Sequence, residues 1–459
     1  MKKKLFFIIT NDLFLRNYIL NNTLSNLYKN YDLYLIACKE TVFLKKDLLK
    51  KKNFLGFYSF SKKDRQLYRD YYLNSFFGSE LKSKTMRMSL NKILKLNVFW
   101  SGESIFKSIL IFPLRLLSFL KRRFSYIYFR FVYKKFFKKK KYIFKPNIEL
   151  NKFFSKYNPD LVVVPTQGDD VGYYYLSIFC DKNKIETLAL IDNWDNFSSR
   201  MHLKPHMSYY AGWGQQSRVH ASIFQNINLK KVFNIGSARY QDYYLYRNKK
   251  IESHFTFKYI LFLEGFGLTN GLEKVFENLE KILISKKEYQ DLKIIYRPHP
   301  WRKDRNTINI DKYKKIVLDP QLKKQYQNKN FQTSFQPNLS YYPSLIKNAE
   351  FVIAAPTTMV IESLIFYKKI ILLAHDKDTL FGHYDHLVNI EHFDGLADKY
   401  NINTCWSLDE LADIFYKTYK KIKNKNNKKI IDKQINYYLY NDKNSYKTRL
   451  DNIIKKIVK

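Results

Sequence analysis

"KIIYRPHPWR", Lys293 to Arg302, decides how the second half of this 459-residue chain is read. Ile294, Ile295 and Tyr296 run directly into Arg297, and His299 stands between Pro298 and Pro300. Proline fixes φ and has no backbone donor, so an apolar strand stops here and leaves a stiffened histidine at its carboxyl end. Similar apolar runs stand on either side: "FKYILFLEGFG" from Phe257, "KKIVLDP" from Lys314, "EFVIAAPTT" from Glu350 and "KKIILLA" from Lys368. Between them lie helical stretches at Leu272 to Ser285, "SYYPSLIKNA" and "MVIESLIFY". Strand and helix in alternation predict an α/β domain with a parallel sheet.

The first half has the same rhythm. "KLFFIIT", "YDLYLIAC", "PDLVVVPT", "ETLALID", "MSYYAGWG" and "KVFNIGS" read as strands, the first of them followed by a helix capped near Asn11 and Asp12. "MKKKLFFIIT" imitates a signal peptide, but its apolar part is too short and polar residues follow, so it is expected to be a buried strand. The domain expectation is a first domain over 1–245 with a helical insertion at about 81–145, a second over 257–420, and helices over 421–459 packing back on the first. No apolar run reaches the length of a membrane span. Cys38, Cys180 and Cys405 are too dispersed for a disulfide framework or a metal site, which fits a reducing cytoplasm.

The formal net charge is +40, which favours anionic partners. Lys121 to Lys145 holds eleven basic residues and no acid, interleaved with aromatics. Cationic side chains are drawn to anionic lipid and aromatics settle at headgroup level, so a membrane surface is one expected partner. A Lys-rich helical pair with a buried aromatic face is the alternative. Nucleic acid is not expected, because no recognition motif accompanies the charge.

Ligands of open parallel sheets bind beyond the carboxyl ends of the strands. Three strand ends of the second half carry suggestive residues: Glu264-Gly265-Phe266-Gly267, Arg297-Pro298-His299, and Pro356-Thr357-Thr358 ahead of Glu362. Gly265 and Gly267 let backbone approach a ligand closely. Thr357 and Thr358 offer hydroxyls and N–H groups to a diphosphate, and Glu362 a carboxylate to a ribose diol. His299, with Arg297 and Arg302 nearby, can hydrogen-bond or protonate a phosphate oxygen as a nucleotide leaves. Each feature alone also reads as a turn or a capped helix; the joint phosphate site rests on their order and spacing.

These residues resemble the donor-binding domain of two-domain, GT-B type glycosyltransferases of surface-polysaccharide (capsule) biosynthesis. The nearest are the CDP-glycerol glycerophosphotransferases and transferases with an HP motif. The resemblance implies two Rossmann-like domains facing across a cleft, with Arg297, His299, Thr357, Thr358 and Glu362 on the nucleotide. The first half resembles them through "IITNDLFLRNYI", "LIDNWDNFSSR" and "FNIGSARYQDY". It implies Asp192 or Asp195 as base for an acceptor hydroxyl, with Glu264 a rival and Arg239 a partner for the donor phosphate. For both aspartates, Asx-turn and cap chemistry is the competing reading.

Asp376 and Asp378, with His375, His383 and His386, imitate a metal site, but the spacing matches no zinc pattern and the resemblance implies metal-independent chemistry. The expected enzyme uses no metal and no cofactor. It takes a nucleotide-sugar or CDP-glycerol donor and a saccharide or lipid-linked acceptor, and is cytoplasmic, peripheral at the inner face of the cell membrane. A nucleotide-sugar 2-epimerase-like enzyme and a non-catalytic GT-B scaffold are the alternatives.

Overall fold

A computed structural model describes residues 2–95, 105–137, 146–200, 206–265, 271–299, 309–326, 337–376, 382–423, 428–442 and 444–459. The chain divides into two units, Met1–Ala238 with Tyr440–Lys459, and Arg239–Leu439.

In the first unit seven strands form one sheet in the order β3-β2-β1-β4-β5-β6-β7. They are β1 Lys4–Ile9, β2 Asp32–Cys38, β3 Phe54–Tyr58, β4 Leu161–Thr166, β5 Glu186–Ile191, β6 Tyr209–Gly212 and β7 Val232–Asn234. Every pairing is parallel. The "KLFFII" run is continuous rather than alternating because the strand is covered on both faces. Phe6, Ile8, Val162 and Val164 pack on one side with Phe154 and Tyr175. Leu5, Phe7, Ile9 and Val163 pack on the other with Tyr446, Leu450 and Ile454 of the helix Tyr446–Ile457.

Pro165 sits inside β4, a place a central strand normally forbids. The Thr166 carbonyl accepts from the Asp192 N–H on the β5 side. Successive residues of a strand direct their backbone groups to opposite neighbours, so the donor that Pro165 lacks would point toward β1. The β1 pairing has already ended at Val163, and no ladder bond is lost.

Between β3 and β4 the described residues form the helices Lys62–Gly78, Lys84–Ile93, Ile105–Phe137 and Ile148–Tyr157. Ser61 and Asp64 close a capping box at the first of these, and the Ser83 hydroxyl accepts from the Met86 N–H at the second. No described helix is long and apolar enough to cross a membrane.

The second unit has six parallel strands in the order β10-β9-β8-β11-β12-β13. Their spans are β8 Lys258–Leu263, β9 Leu292–Arg297, β10 Ile316–Leu318, β11 Val352–Ala354, β12 Ile370–Leu373 and β13 Asn403–Cys405. The helix Leu272–Ser285 lays Val275, Phe276, Leu279 and Leu283 on Ile260, Phe262, Ile294 and Tyr296. Its apolar residues recur at the three- and four-residue spacing that builds one helix face. Both sheets are Rossmann-like: the first strand of each lies centrally and the strand order reverses beside it, between β1 and β4 and between β8 and β11.

Candidate functional site

The reversal in the second sheet puts the ends of β8 and β11 side by side, with β9 flanking β8. The Ala355 N–H donates to the Leu263 carbonyl at 2.9 Å, and the Glu264 N–H to the Arg297 carbonyl at 3.0 Å, so all three strand ends share one edge. At Gly265 a Cβ would lie 3.2 Å from both the Ala355 Cβ and the Pro356 carbonyl oxygen. A side chain here would make one of the two loops give by a few tenths of an ångström, so glycine suits their close approach. Gly267, Pro300, Trp301, Arg302 and Asp378 lie outside the described residues.

Glu264 is buried, and its Oε2 accepts from the Tyr296 hydroxyl at 2.9 Å and from the His299 N–H at 3.3 Å. The carboxylate thus fixes the backbone that presents His299, which is itself half-buried. As a base for an acceptor it is poorly placed by this burial; its visible work is to position the histidine turn. Thr357 and Thr358 are half-buried at the start of the helix Met359–Ile365 and make no side-chain cap bond to it.

Arg297 departs from its expected role. Only 2% exposed, it forms an ion pair with the fully buried Asp319. It also donates to Gln321 Oε1 at 2.8 Å and the Tyr342 hydroxyl at 2.6 Å, and its guanidinium lies 4.3 Å from the centre of the Tyr342 ring. Burial pulls its pKa down, but Tyr342 and Asp319 more than offset this and the pKa rises. Asp319 accepts in addition from the Tyr341 hydroxyl and the Gln321 N–H, both at 2.9 Å. The guanidinium locks the end of β9 to the end of β10 and does not reach for a ligand.

Glu362 differs in the same way. It is 5% exposed, and its two oxygens accept from the Tyr240 hydroxyl at 2.9 Å and the Tyr243 hydroxyl at 2.7 Å. Burial, with Glu362 beside them, raises both phenols well above their ordinary pKa and keeps them donors. Arg239 lies in this second unit, its guanidinium 4.6 Å from the Tyr240 ring centre. The cluster is buried support for the helix that opens at the Thr357–Thr358 turn, made by residues from well before β8.

In the first unit Asp192 and Asp195 follow β5. Asp192 is buried, and Asn17 Nδ2 donates to its Oδ1 at 3.0 Å. Asp195 is half-buried, and its Oδ2 accepts from the Ser199 hydroxyl at 2.9 Å. The loop after β4 carries groups that the sequence pattern did not single out. Asp169 and Gln167 accept from Arg200 at 2.6 and 2.9 Å, joining the β4 and β5 ends. Asp170 caps the helix Val171–Lys182 through the Tyr173 N–H at 2.6 Å and accepts from the Thr166 hydroxyl at 2.8 Å. Burial nevertheless pushes its pKa up to about 6. Asp170 and Asp319 both closely follow apolar strands, so the strand-end rule that singled out His299 would have found them too.

Asp376 spends its carboxylate on the His383 and Tyr384 N–H groups at 2.7 and 2.8 Å, at the start of the helix His383–Asn389. Burial lowers the His375 pKa against the opposing pull of Asp376. Among the described residues no group of three or more metal-ligating side chains gathers.

No family model matches this chain, and no protein of curated function does. Solved structures are similar to it in fold. UDP-GlcNAc 2-epimerase from Methanocaldococcus jannaschii is 15% identical with a TM-score of 0.50, covering 99% of each chain. A candidate UDP-N-acetylglucosamine 2-epimerase from Listeria monocytogenes is 11% identical with a TM-score of 0.50, over 99% of this chain and 96% of that one. The glycotransferase of kitacinnamycin is 8% identical with a TM-score of 0.47, covering 100% of each chain. Likeness to the first two over nearly the whole length shows a fold of two parallel-sheet, Rossmann-like α/β domains, the architecture that GT-B enzymes share.

Proposed function

We propose that this chain is a nucleotide-sugar enzyme that holds its donor at the joined ends of β8, β9 and β11 and transfers the activated group to a saccharide or lipid-linked acceptor. The carrying observation is the meeting of Glu264-Gly265, His299 and the Pro356-Thr357 turn at one sheet edge. His299 takes the departing phosphate as hydrogen-bond donor or acid, and the Thr357 and Thr358 hydroxyls hold the diphosphate. With a sugar nucleotide the bond broken is between the anomeric carbon and the phosphate oxygen. With CDP-glycerol attack falls on phosphorus and a phosphodiester results. Asp195, the more accessible of the two carboxylates after β5, is the proposed base for the acceptor hydroxyl.

A second reading is an epimerase acting on a UDP-sugar. It is favoured by the two fold relatives above, both described as UDP-GlcNAc 2-epimerases. The two readings separate in one experiment: incubation with UDP-, CDP- and GDP-activated donors, with and without a pooled saccharide and lipid-linked acceptor fraction. Nucleotide released only when acceptor is present supports transfer. A new isomer of a UDP-sugar without acceptor supports epimerisation. If no donor is consumed and none raises the thermal midpoint, both readings fall.

A further inference from the structure

The helix Ile105–Phe137 is 33 residues long, about 50 Å at the usual rise. Along it Leu110, Leu114, Leu117, Phe124, Tyr128 and Phe131 follow one another at three-, four- and seven-residue steps. That spacing lines them on one side of the helix. Each is between 52 and 84% exposed. A stripe of this length exceeds the apolar patches that monomeric proteins ordinarily leave to water, so something covers it.

The charge says what. From Ile105 to Phe137 the helix carries eight Lys and Arg and no Asp or Glu. Lys121 stands on the stripe itself, between Leu117 and Phe124, and is exposed. A second copy laid against this face would bury Lys121 of both chains in an apolar interface with no acid on either helix to pair it. An anionic surface with an apolar interior accepts both features: the aromatic and leucine side chains enter it and the cationic heads stay among the headgroups. The charges also suit lying in the interface rather than spanning it, since no described helix meets the requirement for crossing.

We infer that the helix Ile105–Phe137 is a docking element that lies flat on an anionic lipid bilayer with the Leu110–Phe131 stripe buried in it. Nothing at the ends of β8, β9 and β11 enters into this docking, so it stands or falls apart from the donor reading. It is tested on the whole protein by sedimentation with mixed phosphatidylglycerol–phosphatidylcholine vesicles and with phosphatidylcholine vesicles alone. The chain is expected to partition onto the anionic vesicles. Leu117→Ser with Phe124→Ser should weaken binding about tenfold or more, since both side chains leave the bilayer. Lys121→Gln should weaken it severalfold and lower its sensitivity to salt. All three positions are solvent-exposed, so circular dichroism and the thermal midpoint should match the parent. Absence of vesicle binding, or binding that neither the Leu117→Ser, Phe124→Ser pair nor Lys121→Gln alters, overturns the inference. So does a concentration-dependent dimer that the Leu117→Ser, Phe124→Ser variant dissolves while vesicles capture neither form.

Discussion

Removing the Arg297 guanidinium would leave Asp319 wholly buried, with the Tyr341 hydroxyl and the Gln321 N–H as remaining holds on its charge. Breaking a buried pair from one side costs about 3–5 kcal/mol, so Arg297→Ala is expected to lose stability on that scale in a denaturant titration. His299→Ala, two residues on, should leave the midpoint near the parent and cut turnover roughly a hundredfold. If instead His299→Ala unfolds the chain and Arg297→Ala only weakens turnover, the histidine is the structural residue and the arginine the functional one. Asp170 adds a pH test. Its ordinary pKa is 3.8 and burial raises it to about 6 in the fold. Between those values the folded state holds a proton that the unfolded state has lost, so stability declines as pH rises through the window and levels off above it. The ionised form carries a penalty on the order of 3 kcal/mol. Asp170→Asn keeps an oxygen for the Tyr173 N–H and drops the charge. It should therefore melt higher than the parent at pH 8, with the difference gone near pH 4; a constant difference would assign it to packing instead. The sequence made His299 legible because two prolines frame it. It left the job of Arg297 hidden, because that depends on an aspartate brought beside it by strand pairing.

At the level of elements, continuous apolar runs placed the buried strands, each ending at a polar or proline-marked turn, but not β3 and β13, which are short, stand at sheet edges and are only partly buried. The helix Leu272–Ser285 was equally plain from its apolar spacing. What the pattern could not carry was the meeting of the turns. Gly265 and Pro356 are brought together only because β8 and β11 pair, Val352 against Leu261 and Ala354 against Leu263. Nor could it show that Glu362 would be closed off, since Tyr240 and Tyr243 reach it from over a hundred residues away. Gly265→Ala tests whether the joined turns matter. A methyl 3.2 Å from the Ala355 Cβ and the Pro356 oxygen makes one of the turns give way. Overpacking of this kind costs about 1–3 kcal/mol. The variant should melt a few degrees lower and bind nucleotide-activated sugar more weakly by isothermal titration. Unaltered affinity would mean that the approach of these turns has no part in the site.

For the molecule as a whole, net charge complicates every ligand experiment. A chain at +40 attracts nucleotides, pyrophosphate and lipid headgroups alike, and a rise in thermal midpoint at low salt proves little. Exposed charges are screened over about 8 Å at physiological ionic strength, while a buried or half-buried site is screened far less. A nucleotide-sugar bound at the second unit should therefore still raise the midpoint in salt, by about 2.7 kcal/mol of stability at a hundredfold excess over its Kd, whereas inorganic pyrophosphate loses its effect. His299→Ala should abolish the nucleotide-sugar effect and leave vesicle binding intact. Leu117→Ser with Phe124→Ser should do the reverse. The two functions are assigned to different units of the chain, one at the ends of β8, β9 and β11 and one on the helix Ile105–Phe137. If instead both readouts persist in both variants, nonspecific attraction to a highly cationic chain accounts for them, and neither assignment survives.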